Sequence, residues 1–207
     1  KLLWDLYPVD VTFPPDGGVV VADWVEGWEK TGKGRLWRVT DPALANDPVI
    51  AETKRLLAEG MAQRKNEELS RLLGHRDTRI RLNAQWELAG RGTKAWEALA
   101  GTADNGTNRL ARLHAVWGMG QIVRTGSPQP SVADLIRLLP LLDDDDAEVK
   151  GHAARFFGQA HLDRAKTRLR ELLSESDSRL AMQGTLAYRD LFGAFSVPNF
   201  DGRRVQK

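Results

Sequence analysis

Imidazoles and carboxylates are the side chains here best suited to chemistry near neutral pH, and two of the histidines are regularly placed. His114 and His152 each precede an alanine and follow a basic residue by two positions, Arg112 and Lys150. That equivalence predicts two imidazoles facing one another on neighbouring structural units. A metal site needs at least a third protein ligand. The acidic run Asp143-Asp144-Asp145-Asp146 precedes His152 but lies too far along its turn to converge with it, so hydrogen bonding between units is the expected role. The run lacks the interspersed glycine and distal glutamate of a calcium loop. It reads as a solvated turn whose last member, Asp146, caps a helix and meets the positive end of its dipole.

Asp23, Trp24, Glu26, Trp28 and Lys30 form a second polar and aromatic cluster, just after an apolar run. They match no catalytic motif, and Trp24 and Trp28 are expected to cover the open end of a sheet. His75 belongs to a repeat position and His161 to a loop. No Ser/His/Asp arrangement, phosphate-cradling glycine loop or His-x-x-x-His pair is present. Cysteine is absent, which removes disulfides, thiolate metal sites and covalent haem attachment within this chain. The expectation is therefore no catalytic residue, no metal and no cofactor in this chain.

The elements that carry these residues repeat. Ile80, Ala111, Val149 and Leu180 each open a similar stretch, at intervals of 31, 38 and 31 residues, which is the period of stacked helical hairpins. In the first unit Leu72-Leu73 precedes Asp77, Ile80-Arg81, Ala84 and Leu88-Ala89. The third runs Leu141-Leu142, Asp146, Val149-Lys150, Ala153, Phe157-Gly158, and the fourth Leu172-Leu173, Asp177, Leu180, Gly184. The second, Leu99, Asp104, Ala111-Arg112, Ala115, Met119-Gly120, fits with a longer turn. The Leu-Leu pair ends one helix, and Asp77, Asp104, Asp146 and Asp177 cap the next. Ala84, Ala115, Ala153 and Gly184 let helices approach closely. Arg81, Arg112 and Lys150 are placed to meet the capping Asp of their own or a neighbouring unit as a ladder. An exposed pair contributes only about 0–1 kcal/mol and a buried leucine about 1.5–3 kcal/mol, so packing is expected to hold the stack.

The second helix of each hairpin lines the concave, binding side of such a stack. Two and six residues after the opening position stand Leu82 and Trp86, Leu113 and Trp117, Gly151 and Arg155, Met182 and Leu186. Leu82, Trp86, Leu113 and Trp117, with Arg155 beyond, are predicted to form an apolar strip for a partner or a neighbouring domain. The competing expectation is that curvature of the stack buries both tryptophans.

Upstream, the period changes. Residues 9–13, 19–24 and 35–39 read as antiparallel strands, with Asp16-Gly17 supplying the positive φ of a tight hairpin. Three strands alone are marginal, so more sheet or another layer is expected to pack on them. Asp41-Pro42 and Asp47-Pro48 mark a boundary, followed by a linker helix over about 49–61. The divisions expected are a β element over 1–42, a linker region over 43–64, a solenoid of about four hairpins over 65–194 and an extended tail over 195–207. The fold class expected is mainly α, an α-solenoid of helical hairpins with a short N-terminal antiparallel β element.

The stretch VKGHAARFFG (149–158) resembles the V-R-x-x-A-A-x-A-L-G signature of HEAT repeats. PVDVTFPPDGGVVVADWVEGWEKTGKGRLWRV (8–39) looks like the closing blade of a β-propeller, and LSRLLGHRDTRIRLNAQWELAGRG (69–92) and RLHAVWGMG (112–120) are similar to the segments that follow it in the same proteins. Together they resemble the membrane-bound dehydrogenase-like, haem-binding family of planctomycetes. That resemblance implies a glucose/sorbosone dehydrogenase-like propeller, then HEAT repeats, then a Cys-x-x-Cys-His cytochrome c domain. It further implies an exported, periplasmic protein, with the propeller and cytochrome c domain as partners. The chain is expected to be a segment of such a protein, since it opens on Lys1 and lacks cysteine.

With 30 Lys and Arg against 28 Asp and Glu, net charge +2, the composition gives no general drive toward nucleic acid, and the apolar concave positions argue likewise. No apolar run approaches the roughly 18 residues that cross a bilayer, so no direct membrane insertion is expected.

Overall fold

The computed structural model describes residues 3, 5–25, 32–44, 46–126 and 128–193. Glu26, Trp28, Lys30 and the expected tail lie outside the described residues. The chain divides into two compact units, Lys1–Gly60 and Met61–Lys207. Its fold is mainly helical with a small three-stranded antiparallel sheet.

In the first unit, strands β1 (Pro8–Thr12), β2 (Val19–Asp23) and β3 (Arg35–Val39) pair in the order β1-β2-β3. Val11 sits opposite Val21 and Val21 opposite Trp37, and the β1–β2 register shifts between Pro8 and Asp10. The β1–β2 turn needs glycine on two counts. Gly17 has φ +80°, and a Cβ there would lie 2.3 Å from Ile50 Cδ1. Ile50 belongs to α1 (Pro48–Glu59), which Asp47 caps by accepting from Val49 N at 2.7 Å. The proline at the first helical position loses no bond there, because its N–H would have no partner. Gly60, with φ +73°, closes the helix.

Among its described residues the second unit holds four successive hairpins. They are α2 (Asn66–Leu72) with α3 (Thr78–Gly90), α4 (Trp96–Asn105) with α5 (Arg109–Thr125), α6 (Val132–Ile136) and the 3-10 turn after it, which is the part that packs on α7 (Ala147–Gln159), and α8 (Lys166–Leu172) with α9 (Ser178–Phe192). The second helices pack in chain order, α3 on α5, α5 on α7, α7 on α9. The third hairpin departs from the expected single first helix. α6 stops at Ile136, and Leu141-Leu142 lies in a 3-10 turn, Leu139–Asp143. Pro140 is the cause, since it lacks an N–H and disfavours the helical conformation in the residue before it.

The four opening residues are all buried: Ile80 and Val149 at 0% exposure, Ala111 at 7% and Leu180 at 6%. The small residues do what their size suggests. Ala84, Ala115 and Ala153 are fully buried, and a Cβ on Gly184 would lie 2.7 Å from Leu172 Cβ. Around Phe156 and Phe157, whose rings are 4.9 Å apart, the core gains a third aromatic in Trp96, 6.2 Å from Phe156. Among the described residues no helix is long and apolar enough to cross a membrane.

Candidate functional site

The caps of the second helices are polar side chains satisfying free N–H groups. Asp77 accepts from Arg79 N at 2.8 Å, Asp146 from Glu148 N at 2.9 Å and Asp177 from Arg179 N at 2.8 Å. Asp104 does not take this role. It lies within the last turn of α4, and Asn108 caps α5 through Ala111 N at 3.1 Å. The longer second turn shifts the cap to the residue just before the helix.

The ladder also has different rungs. Asp77 pairs with Arg79, at 2.5 Å, rather than with Arg81. Arg81 instead donates to the turn carbonyls of His75 and Arg76, at 2.8 and 2.9 Å. Arg112 reaches the neighbouring unit, pairing with Asp144 and donating to Ala103 O at 2.8 Å. Asp146 pairs with Arg109. Lys150 is half-buried and enters no ion pair among the described residues. The acidic turn is therefore an acceptor for arginines of neighbouring hairpins, since Arg168 pairs with Asp143. Among the described residues no group of three or more His, Cys, Asp or Glu side chains could hold a metal ion.

The two imidazoles do not face one another. Trp117 stands between them, its ring 4.9 Å from His114 at 75° and 5.1 Å from His152 at 88°, edge-on to both. Residues three apart share a helix face, so the indole follows His114 along α5 and fills the space before α7. Arg81 Nε donates to His114 Nε2 at 3.1 Å, and His114 Nδ1 lies 2.7 Å from Gln85 Oε1. A guanidinium only donates, so Nε2 accepts and Nδ1 carries the proton. Burial, and then the Arg81 cation, push the His114 pKa down to about 4. His152 is lowered as well, chiefly by burial, with Glu148 opposing and Arg155 assisting. Both are neutral at pH 7.

The predicted apolar strip does not form as drawn. Trp86 is 54% exposed, Leu82 and Trp117 are half-buried, and Leu113 is only 6% exposed. α5 is flanked by both α3 and α7, whereas α3 has one such neighbour, so more of the α5 circumference is covered. Arg155 is held by Asp190 at 2.7 Å across α7 and α9. In place of the strip there is a cleft of about 420 Å³, lined from α3, α5, α7 and α9, with Trp117 among its lining residues. That volume is within the roughly 300–1,000 Å³ of ligand clefts.

Beyond the two histidines, polar positions in and beside this cleft went unread in the sequence although the signal was there. Three residues after each opening position stand Asn83, His114, His152 and Gln183, and ten after it, in two units, stand Gln121 and Gln159. Arg124 donates to Gln159 Oε1 at 2.7 Å.

Asp23 occupies a different kind of site. Its carboxylate is 3% exposed and accepts from Tyr7 N at 2.9 Å, Val25 N at 3.0 Å and Trp37 Nε1 at 2.9 Å, with Arg35 at 3.3 Å. It joins the three strands, a structural role. Trp24 is 39% exposed, and its N–H donates to Tyr7 O at 2.9 Å. No family model matches the chain, and no curated protein matches it.

Proposed function

We propose that this chain is a protein-interaction and spacer module, a HEAT-type stack that holds a partner protein or neighbouring domains of the same polypeptide in fixed relation. A propeller and a cytochrome c domain are the neighbours that the family resemblance implies, in an exported protein. The observation that carries the reading is the face of the second helices. Trp86 and Met182 are 54% and 52% exposed there, and the cleft opens on the same helices. Exposed large aromatic and thioether side chains on a stack of hairpins mark a docking face. A photoreactive benzophenone side chain in place of Trp86, in the native setting, is expected to cross-link a partner or another domain. The same group at the exposed Arg170 on α8 is expected to give far less product. Equal labelling at both positions, or none at Trp86, would sink the reading.

The sheet favours a second reading, that the chain is part of a quinoprotein-like sugar or alcohol dehydrogenase whose catalytic residues lie outside it. The supporting observation is apolar surface on the flanking strands, with Val11 52% and Leu36 77% exposed. A propeller blade without its neighbours has this character. Dye-linked oxidation of sugars or alcohols by the native polypeptide is the expected result; a native polypeptide inactive on both classes rejects it.

A further inference from the structure

We propose that the cleft between α3, α5, α7 and α9 binds an extended peptide segment bearing a carboxylate, with Arg124 taking the carboxylate and the amides of Gln85 and Gln159 taking backbone carbonyls. This rests on the protein-interaction reading and names the chemistry of the partner.

The polarity of the cleft comes from which atoms are already engaged. Gln85 Oε1 is bonded to the His114 Nδ1 proton and Gln159 Oε1 to the Arg124 guanidinium, each at 2.7 Å. Each bond turns its amide so that the oxygen faces a protein partner and the NH2 group is the unpaired end, with one further lone pair kept on the oxygen. Both side chains are thus fixed as donors toward whatever enters, and they suit carbonyl or carboxylate oxygens.

Arg124 supplies the charge. Arg109, Arg112, Arg155 and Arg168 each meet a carboxylate. The exposed Arg124 is bonded instead to a neutral amide, and no carboxylate among the described residues balances it. Of the other basic groups lining the cleft, Arg155 is paired with Asp190, and His152, whose pKa burial lowers, stands 3.9 Å from Glu148, which leaves Arg124 as the cleft's net cation.

A peptide fits better than a bare anion because the wall also holds an acceptor. Gln121 lines the cleft, and its Oε1 is buried without a hydrogen-bond partner among the described residues. Such an orphan in a native fold calls for an explanation, and an amide that turns to accept a ligand N–H supplies one. A peptide backbone brings that N–H beside its C=O groups, and the half-buried Trp117 ring offers apolar contact to side-chain methylenes.

The test is calorimetric titration of the full chain with three pentapeptides: a capped one alternating glycine and glutamate, its capped glutamine isostere, and that isostere with a free C-terminal carboxylate. At least one carboxylate peptide is expected to bind about tenfold or more tighter than the capped glutamine peptide. Which of the two does so tells a side-chain carboxylate from a terminal one. Arg124→Gln, on an exposed helical position that glutamine tolerates, is expected to erase the difference while the helical circular dichroism stays unchanged. Equal affinity for all three, a preference that survives Arg124→Gln, or no binding at millimolar peptide overturns the proposal. Trp86 lies outside the cleft lining, so cross-linking there can succeed while peptide binding fails, and the two readings are tested separately.

Discussion

In the helical unit Ile80, Leu99, Met119, Val149 and Phe157 are fully buried, whereas in the sheet Val11, Leu36 and Trp37 keep 52, 77 and 37% exposure. Both segments are rich in apolar side chains, so the difference lies in geometry. A helix in the stack has neighbours on several sides and buries a wide stripe. In three strands only the central one is flanked on both edges, and there Val21 is reduced to 9% exposure. Polar order differs in the same sense. The sheet centres on one buried carboxylate, Asp23, with the Arg38–Asp16 pair beside it, while the stack distributes its polar contacts over separate caps and inter-hairpin arginine pairs. Dense packing therefore makes the stack sensitive to volume, and its absence leaves the strands dependent on a single hub.

The largest expected effect is in the stack. Phe157→Ala removes a fully buried ring, and a loss of about 3–5 kcal/mol is expected from the lost transfer energy and the cavity. Gly158→Ala probes the opposite fault. An added Cβ would lie 2.5 Å from Ala187 O and 2.7 Å from Ala187 Cα, both backbone. α9 must therefore move, and about 1–3 kcal/mol of stability is expected to go. Urea titration followed by the helical circular dichroism checks both. If Phe157→Ala shifted the midpoint no more than a surface substitution does, dense packing would not be what distinguishes this unit.

Acid separates the two regions next. His114 carries a folded pKa of about 4, below the ordinary value near 6.5. Between those values the unfolded chain binds more protons than the folded one, so stability falls as pH drops through the window, at up to about 1.4 kcal/mol per unit. His152 is shifted the same way and adds to it. Asp23 behaves oppositely. The Trp37 indole, then the N–H groups of Tyr7 and Val25 and the Arg35 cation, hold its carboxyl below the usual range against the cost of burial. Its contribution is complete above about pH 3.9 and is lost only as pH falls further, through its lowered value. Between pH 6 and 4.5 the α5 and α7 amides are expected to lose hydrogen-exchange protection while the β2 amides keep theirs. His114→Gln is expected to flatten the helical response. Loss in the strands first would reverse the comparison.

The parts legible in the sequence were those fixed by short-range chemistry. Asp77, Asp146 and Asp177 cap because a carboxylate two or three residues before an amide finds it locally, and the opening residues are buried because their spacing returns them to one face. The parts that escaped depend on how helices cross. Nothing local places the Trp117 indole between two histidines from different hairpins, or gives Arg112 to Asp144 rather than to Asp104. The cleft is intermediate. Gln121 and Gln159 stand at equivalent positions, but glutamine on a helix is ordinarily a solvated residue, and only Arg124 and the neighbouring helices give the pair a direction. Pro140 is a plain local signal that the Leu-Leu pattern overrode.

The smallest effect tests the strands. Val11 is on the outer strand β1, opposite Val21, and Leu36 is on the outer strand β3, opposite Ala22. With both largely exposed, Val11→Thr keeps and Leu36→Thr introduces a strand-compatible β-branched side chain, and each removes little buried area. Each is expected to change stability by no more than about 0.5 kcal/mol in this chain, measured by hydrogen exchange of the β2 amides. The same substitutions in a native polypeptide where further sheet covers those strands would each remove buried apolar surface and cost about 1 kcal/mol or more. A large effect already in the isolated chain would mean that its own residues cover the strands, and the contrast between a closed stack and an open sheet would fail at its simpler end.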